Sequence, residues 1–171
     1  MKKRKAHPRV AILMGSDSDW DVMAAAAKRL AEFEVLHEIK VTSAHRSPGE
    51  TAEYASSARR QGLEVIIAGA GAAAHLAGVV AAHTTLPVIG VPLDATSLKG
   101  LDSLLSTVQM PPGVPVATVG VGAADNAALL ALQILAVGDD GIARRLDRFK
   151  KDLARQVATK NERLQARLQR G

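Results

Sequence analysis

The 171-residue chain contains no cysteine. That excludes disulfides, thiolate nucleophiles and cysteine-held metals or clusters, and it fits a reducing, cytoplasmic setting. Aromatic residues make up only 2%: one Trp, one Tyr and two Phe. So few rings argue against reading nucleic acid by base stacking, and against a flavin clamped between aromatic rings. No uncharged apolar run approaches the ~20 residues of a membrane span. The basic N-terminus is not followed by the apolar stretch of a secretory signal. Neither a nucleic-acid nor a membrane partner is expected. Internal repeats and low-complexity segments are absent too.

Excess charge is also scarce once the N-terminus is set aside. The formal net charge is +5, but residues 1–9 hold Lys2, Lys3, Arg4, Lys5 and Arg9 and no acid. Without them the remainder carries 17 basic and 17 acidic residues. A basic tail can touch an anionic surface. A disordered, solubilising terminus is the simpler expectation, leaving residues 10–171 as one domain of ordinary size.

What the chain does have is aliphatic bulk. Hydrophobic residues make up 47%, mostly Ala, Val, Leu and Ile. They fall in short runs at 10–15, 36–44, 64–71, 86–92 and 114–122, each rich in Val or Ile and several apolar nearly throughout. Such runs suit strands buried on both faces. Helical stretches alternate with them at 19–33, 47–62, 73–84 and 124–136. Asp19 is placed to cap the first. Ser47, Pro48 and Glu50 spell a capping box with proline at the first helical position, and Gly62 suits the stop. This alternation predicts a three-layer α/β/α, flavodoxin-like fold with a five-stranded parallel sheet in the order 2-1-3-4-5.

The last 30 residues have apolar side chains at 142, 146, 149, 153, 157, 164 and 168, a 3–4 spacing that predicts one long C-terminal helix. It is long for a small sheet. Packing on a neighbouring subunit is favoured over lying along its own domain.

Ligands of an open parallel sheet bind at the carboxyl ends of its strands. Here those ends read Gly15-Ser16-Asp17-Ser18-Asp19, Ser43-Ala44-His45-Arg46, and Gly69-Ala70-Gly71 followed by Ala72, Ala73, Ala74 and His75. Ser16 and Ser18 offer hydroxyls and backbone N–H groups where a helix starts and an anion is favoured. A carboxylate at Asp19 suits ribose hydroxyls; capping and ligand binding compete there evenly. The small residues around Gly71 let backbone approach a ligand or, equally, let a helix pack close. His75, placed one turn into its helix, points to the ligand or into the core. His45 titrates near neutrality and can give and take one proton per cycle, and Arg46 supplies a planar cation for phosphate or carboxylate. Alone, this pair also fits a solvated surface turn.

Together these motifs narrow the reading. "MGSDSDW", "VTSAHRSP", "VIIAGAGAAAHLAG", "LPVIGVP", "LKGLDSLLSTVQMPPGVPVATV" and "NAALLALQIL" run in order over residues 10–136. In this the chain resembles the class I N5-carboxyaminoimidazole ribonucleotide mutases of de novo purine biosynthesis. The resemblance implies a reversible isomerase needing no metal, ATP or organic cofactor, assembled as a homo-octamer and acting on a small ribonucleotide. It implies that Ser16, Ser18, Asp19, Ser43 and Arg46 hold the ribose phosphate. It makes His45 the proton shuttle, with Gly71 and His75 at the carboxylate and CO2 end. The chain departs from the family pattern at Ala72, where glycine is usual, at Ala77, where proline is usual, and in a shorter loop at 120–126. Two other readings stay open. One is a carboxylase that adds CO2 directly to aminoimidazole ribonucleotide. The other is a nucleotide-binding module without catalysis, for which His45 is unnecessary. A phospho-receiver is disfavoured because the end of the third strand has no Asp.

Overall fold

A computed structural model describes residues 7–169. Five parallel strands form one sheet: β1 (Val10–Met14), β2 (His37–Val41), β3 (Val65–Gly71), β4 (Val88–Leu93) and β5 (Ala117–Thr118), in the order β2-β1-β3-β4-β5. Six α-helices accompany them: α1 (Trp20–Glu32), α2 (Pro48–Ala58), α3 (Leu76–His83), α4 (Leu101–Val108), α5 (Ala124–Ala136) and α6 (Asp140–Leu168). None is long and apolar enough to cross a membrane.

The period-2 alternation of a strand divides β1 between two cores. Val10, Ile12 and Met14 pack with Met23 and Leu30 of α1 and with Ala127, Ala131 and Leu132 of α5. Ala11 and Leu13 face the other way, onto Tyr54, Ala55 and Ala58 of α2 and Leu76 and Val80 of α3. Both faces are covered, which is why the run carries no polar residue. Ile12 pairs with Ile39 on one side and Ile67 on the other, and Ile67 with Ile89, so the register stacks branched side chains across the sheet centre.

Several local expectations need correcting. The run 114–122 makes only a two-residue strand. Pro115 has no N–H to give a ladder, and beyond Thr118 the chain keeps contact with β4 irregularly, through Val119 N–H to Gly90 O and Gly122 N–H to Pro92 O. The third helix starts at Leu76, not at residue 73, because Ala72 turns the chain through φ 53°. Helix α4 was not anticipated. Its amphipathicity is inverted: Ser103 and Thr107 are buried, while Leu101, Leu105 and Val108 face out.

The long helix is present, 29 residues capped by Asp139, whose carboxylate accepts from the N–H groups of Gly141 and Ile142. Ile142 and Leu146 are buried, and Phe149 meets Phe33 edge to face at 5.9 Å. Farther on, Leu153, Val157, Leu164 and Leu168 continue the stripe into solvent. At ~1.5 Å per residue this end reaches roughly 30 Å past Phe149. Of the basic tail, Lys2, Lys3, Arg4 and Lys5 lie outside the described residues. Arg9 belongs to the fold, held between Glu64 and Asp139.

Candidate active site

Three strand ends meet at one cleft of about 380 Å³. All eight residues singled out from the sequence line it: Ser16, Ser18, Asp19, Ser43, His45, Arg46, Gly71 and His75. Ala95, from the loop after β4, lines it as well.

The turn after β1 closes on itself. Ser16 Oγ accepts from Ser18 N–H, and the Asp19 carboxylate accepts from Ser16 N–H at 3.0 Å. This reciprocal pair is a capping box on the short 3-10 turn Asp17–Asp19 that leads into α1. Ser16 is therefore the cap and Asp19 its third-position partner, the reverse of capping by Asp19. Burial raises the pKa of Asp19 above the ordinary carboxylate value, opposed by the N–H groups of Ser16 and Gly15. Because that pKa is raised, ionised Asp19 detracts from stability as pH climbs through it.

The turn after β2 is built differently from its sequence signature. Ser47 makes no side-chain cap and forms no box with Glu50. Its hydroxyl folds back to Ser43, lying 3.1 Å from the Ser43 nitrogen and 3.2 Å from its carbonyl, while Ser47 N–H donates to Ser43 O. A nearer backbone partner wins over the helix N–H groups, and Pro48 needs no partner at the first helical position. The result is a locked loop around His45 and Arg46. Arg46 N–H donates to Ser43 Oγ at 3.1 Å, and its guanidinium donates to Gly15 O at 3.0 Å. Among the described residues no carboxylate pairs with Arg46.

His45 Nε2 lies 2.7 Å from His75 Nδ1, with the rings nearly perpendicular. One nitrogen donates and the other accepts. His75 is exposed at the cap position of α3 and turned to the cleft, so the core orientation is ruled out. Around the pair the wall is Ala70, Gly71, Ala72 and Ala73. A Cβ on Gly71 would come within 2.5 Å of Ala95 Cβ, so only glycine lets that loop close here. Ala72 adopts a left-handed conformation that glycine takes without strain. Sequence reading missed Ala95, whose methyl side chain carries no chemistry to mark it among the polar residues of its loop, and Ser106 on α4.

A flavodoxin-like domain with an anion-suited rim opposite a histidine pair defines a class of nucleotide enzymes, and the family model described as AIR carboxylase matches residues 9–156. The chain belongs to that family. Among its relatives, the N5-carboxyaminoimidazole ribonucleotide mutase of Pyrococcus abyssi is 60% identical over 148 residues, covering 86% of this chain and 85% of that one. The enzyme of the same name from Mycobacterium tuberculosis H37Rv is 58% identical, covering 92% and 91%. The crystal structure of Treponema denticola PurE superposes with a TM-score of 0.83 at 28% identity, covering 92% of this chain and 99% of that one.

Proposed function

We propose that the chain is an isomerase of de novo purine biosynthesis. It converts N5-carboxyaminoimidazole ribonucleotide to 4-carboxy-5-aminoimidazole ribonucleotide. The observation that carries the mechanism is the His45–His75 contact in a cleft shared with Ser16, Ser18 and Arg46.

Arg46, with no carboxylate partner among the described residues, and the hydroxyls of Ser16 and Ser18 suit the ribose phosphate. Asp19 suits a ribose hydroxyl, and Ser43 holds the Arg46 backbone in place. Protonated His45 gives its proton to the exocyclic nitrogen. The N–C bond then breaks, its electron pair stays on nitrogen, and CO2 is released. The freed aminoimidazole attacks CO2 through C4. Neutral His45 takes the C4 proton and is ready for the next cycle. His75, at 2.7 Å, accepts or donates opposite each change in His45. The alanine and glycine wall keeps CO2 beside the ring and water away, so the recombination is effectively unimolecular. No step in this route calls for ATP.

The same reading makes the active form a homo-octamer. Exposed apolar side chains support it: Trp20, Val22, Ile39 and Val41 around α1 and β2, and Leu98, Leu101 and Leu105 around α4. Light scattering that finds a monomer at micromolar concentration would overturn this part.

The test of the reaction is an assay without ATP, run with and without bicarbonate. Isomerisation at a rate indifferent to bicarbonate is expected. A reaction that starts from aminoimidazole ribonucleotide and needs bicarbonate marks the direct carboxylase instead. Binding without turnover marks a module that only holds nucleotide.

A further inference from the structure

We infer that Ser106, on α4 and outside the cleft, is a positioning residue for the His45–His75 pair; this rests on the mechanism above. His75 is carried by a short segment, residues 72–75, that is neither strand nor α-helix. It starts at Ala72 with φ 53°, a conformation an alanine holds only when its surroundings impose it. Within the segment one backbone bond forms, from His75 N–H to Ala73 O.

A side chain from elsewhere fastens it. Ser106 Oγ accepts from Ala74 N–H at 3.1 Å and donates to Asp102 O at 2.8 Å. Ala74 is 1% exposed, so without Ser106 its N–H has no water to turn to. Ser106 does not line the cleft. Whatever it does to the chemistry passes through the Ala74 backbone to the next residue, His75.

The helix that carries Ser106 is itself tied to the site's other wall. The Asp102 carboxylate accepts from Thr96 Oγ1 at 2.7 Å, and Ser103 Oγ lies 2.8 Å from Leu93 O. Ala95, between these two anchors, packs against Gly71. Residues 102, 103 and 106 share the inward face of α4, one turn of spacing. That face therefore sets the β4 loop and the His75 segment in register with each other. This explains why α4 turns hydroxyls inward and leucines outward.

Ser106→Ala leaves Ala74 N–H without a partner, and the segment must shift to find one. The His45–His75 contact then lengthens. A misplacement of about 1 Å at a reacting pair costs on the order of 100-fold in rate.

The experiment compares Ser106→Ala and Ser106→Thr in the full chain, using N5-carboxyaminoimidazole ribonucleotide for kinetics and 15N-edited NMR for the imidazole N–H shared by the two histidines. In Ser106→Ala we expect kcat to fall about 30- to 100-fold, KM to stay within about threefold, and the shared N–H signal to be lost. Ser106→Thr keeps the hydroxyl and should restore both kcat and the signal. Should Ser106→Ala not fold, Ser106→Cys, a weak acceptor of similar size, should show the same split. Wild-type kcat with the signal intact in Ser106→Ala would overturn the inference. So would equal losses in the alanine and threonine variants with the signal intact. A wild-type chain that fails to isomerise sinks the proposed function instead, and the NMR comparison still decides the role of Ser106.

Discussion

Each end of the parallel sheet opens onto a cleft, and the roomier one is at the end without the histidine pair. At the amino ends of the strands a cavity of about 690 Å³ is lined by His7, Arg9, Glu34, Asp139 and Arg145 among others. Its arginines are already answered. Arg9 bridges Glu64 and Asp139, and Arg145 binds Glu34 and the Phe33 carbonyl. Arg9 holds the Asp139 carboxyl below the ordinary range, and the same carboxylate caps α6. At the carboxyl ends the cleft is about half as large, yet Arg46 lacks a carboxylate among the described residues, Asp19 is pushed up by burial, two histidines share one bond and Ala72 is left-handed. The first end uses its charges to hold the fold. The second leaves Arg46 without a carboxylate partner among the described residues, the charge that the proposed function assigns to the ribose phosphate. Room measures volume; an unanswered charge marks chemistry.

The sharpest way to break this contrast is His45→Asn. Loss of the shuttle should lower kcat by at least about 1,000-fold, within the range for general acid–base groups, while nucleotide still binds by calorimetry. Full turnover in that variant would end the proposed mechanism.

Next come two arginines exchanged in role. Arg46→Ala should weaken substrate binding roughly 10- to 100-fold, the loss of a charge-assisted contact, and leave Tm within about a degree. Arg9→Ala should do the opposite, lowering Tm by roughly 2–4 °C for a network of partly exposed pairs in a chain this long, with kcat/KM unchanged. The sign of its pH dependence follows from Asp139. A depressed folded-state pKa contributes stability above the unfolded value, and that share disappears as pH falls through the folded one. The gap in Tm between wild type and Arg9→Ala should therefore be full at pH 7 and narrow below about pH 4. Matching kinetic losses in the two variants would erase the distinction between the ends.

How much of this could be read beforehand follows from which interactions are local. The strand order was legible because Val10–Met14 and Val65–Ala68 are buried on both faces and carry no polar residue to blur them. The eight cleft residues were legible because a parallel sheet brings its strand ends together whatever the loops do. The caps were half legible. Ser16, Asp19, Ser47 and Glu50 are the right residue types, but which hydroxyl meets which N–H depends on turn geometry that spacing leaves open. Helix α4 was missed because the line from Leu98 to Gln109 mixes leucines with hydroxyls and gives no hint that the hydroxyls face in. Ser106 was out of reach altogether, since its partner at Ala74 lies 32 residues away.

The smallest expected effect tests strain at the site end. Ala72→Gly removes a left-handed alanine costing about 1 kcal/mol, partly offset by the extra freedom of glycine when unfolded. Calorimetry should show Tm rise by roughly 1–3 °C. A fall would mean that the methyl group contributes more to packing than the conformation costs.

The brevity of β5 bears on how the chain behaves when crowded. A sheet edge with open backbone groups is an invitation to foreign strands and a starting point for aggregates. Here that edge offers only Ala117 and Thr118, preceded by Pro111, Pro112 and Pro115, which have no N–H to lend. Val119 and Gly122 spend their N–H groups on β4. A passing strand finds too little ladder to climb, so a sheet rich in valine and isoleucine stays closed to recruitment on that side.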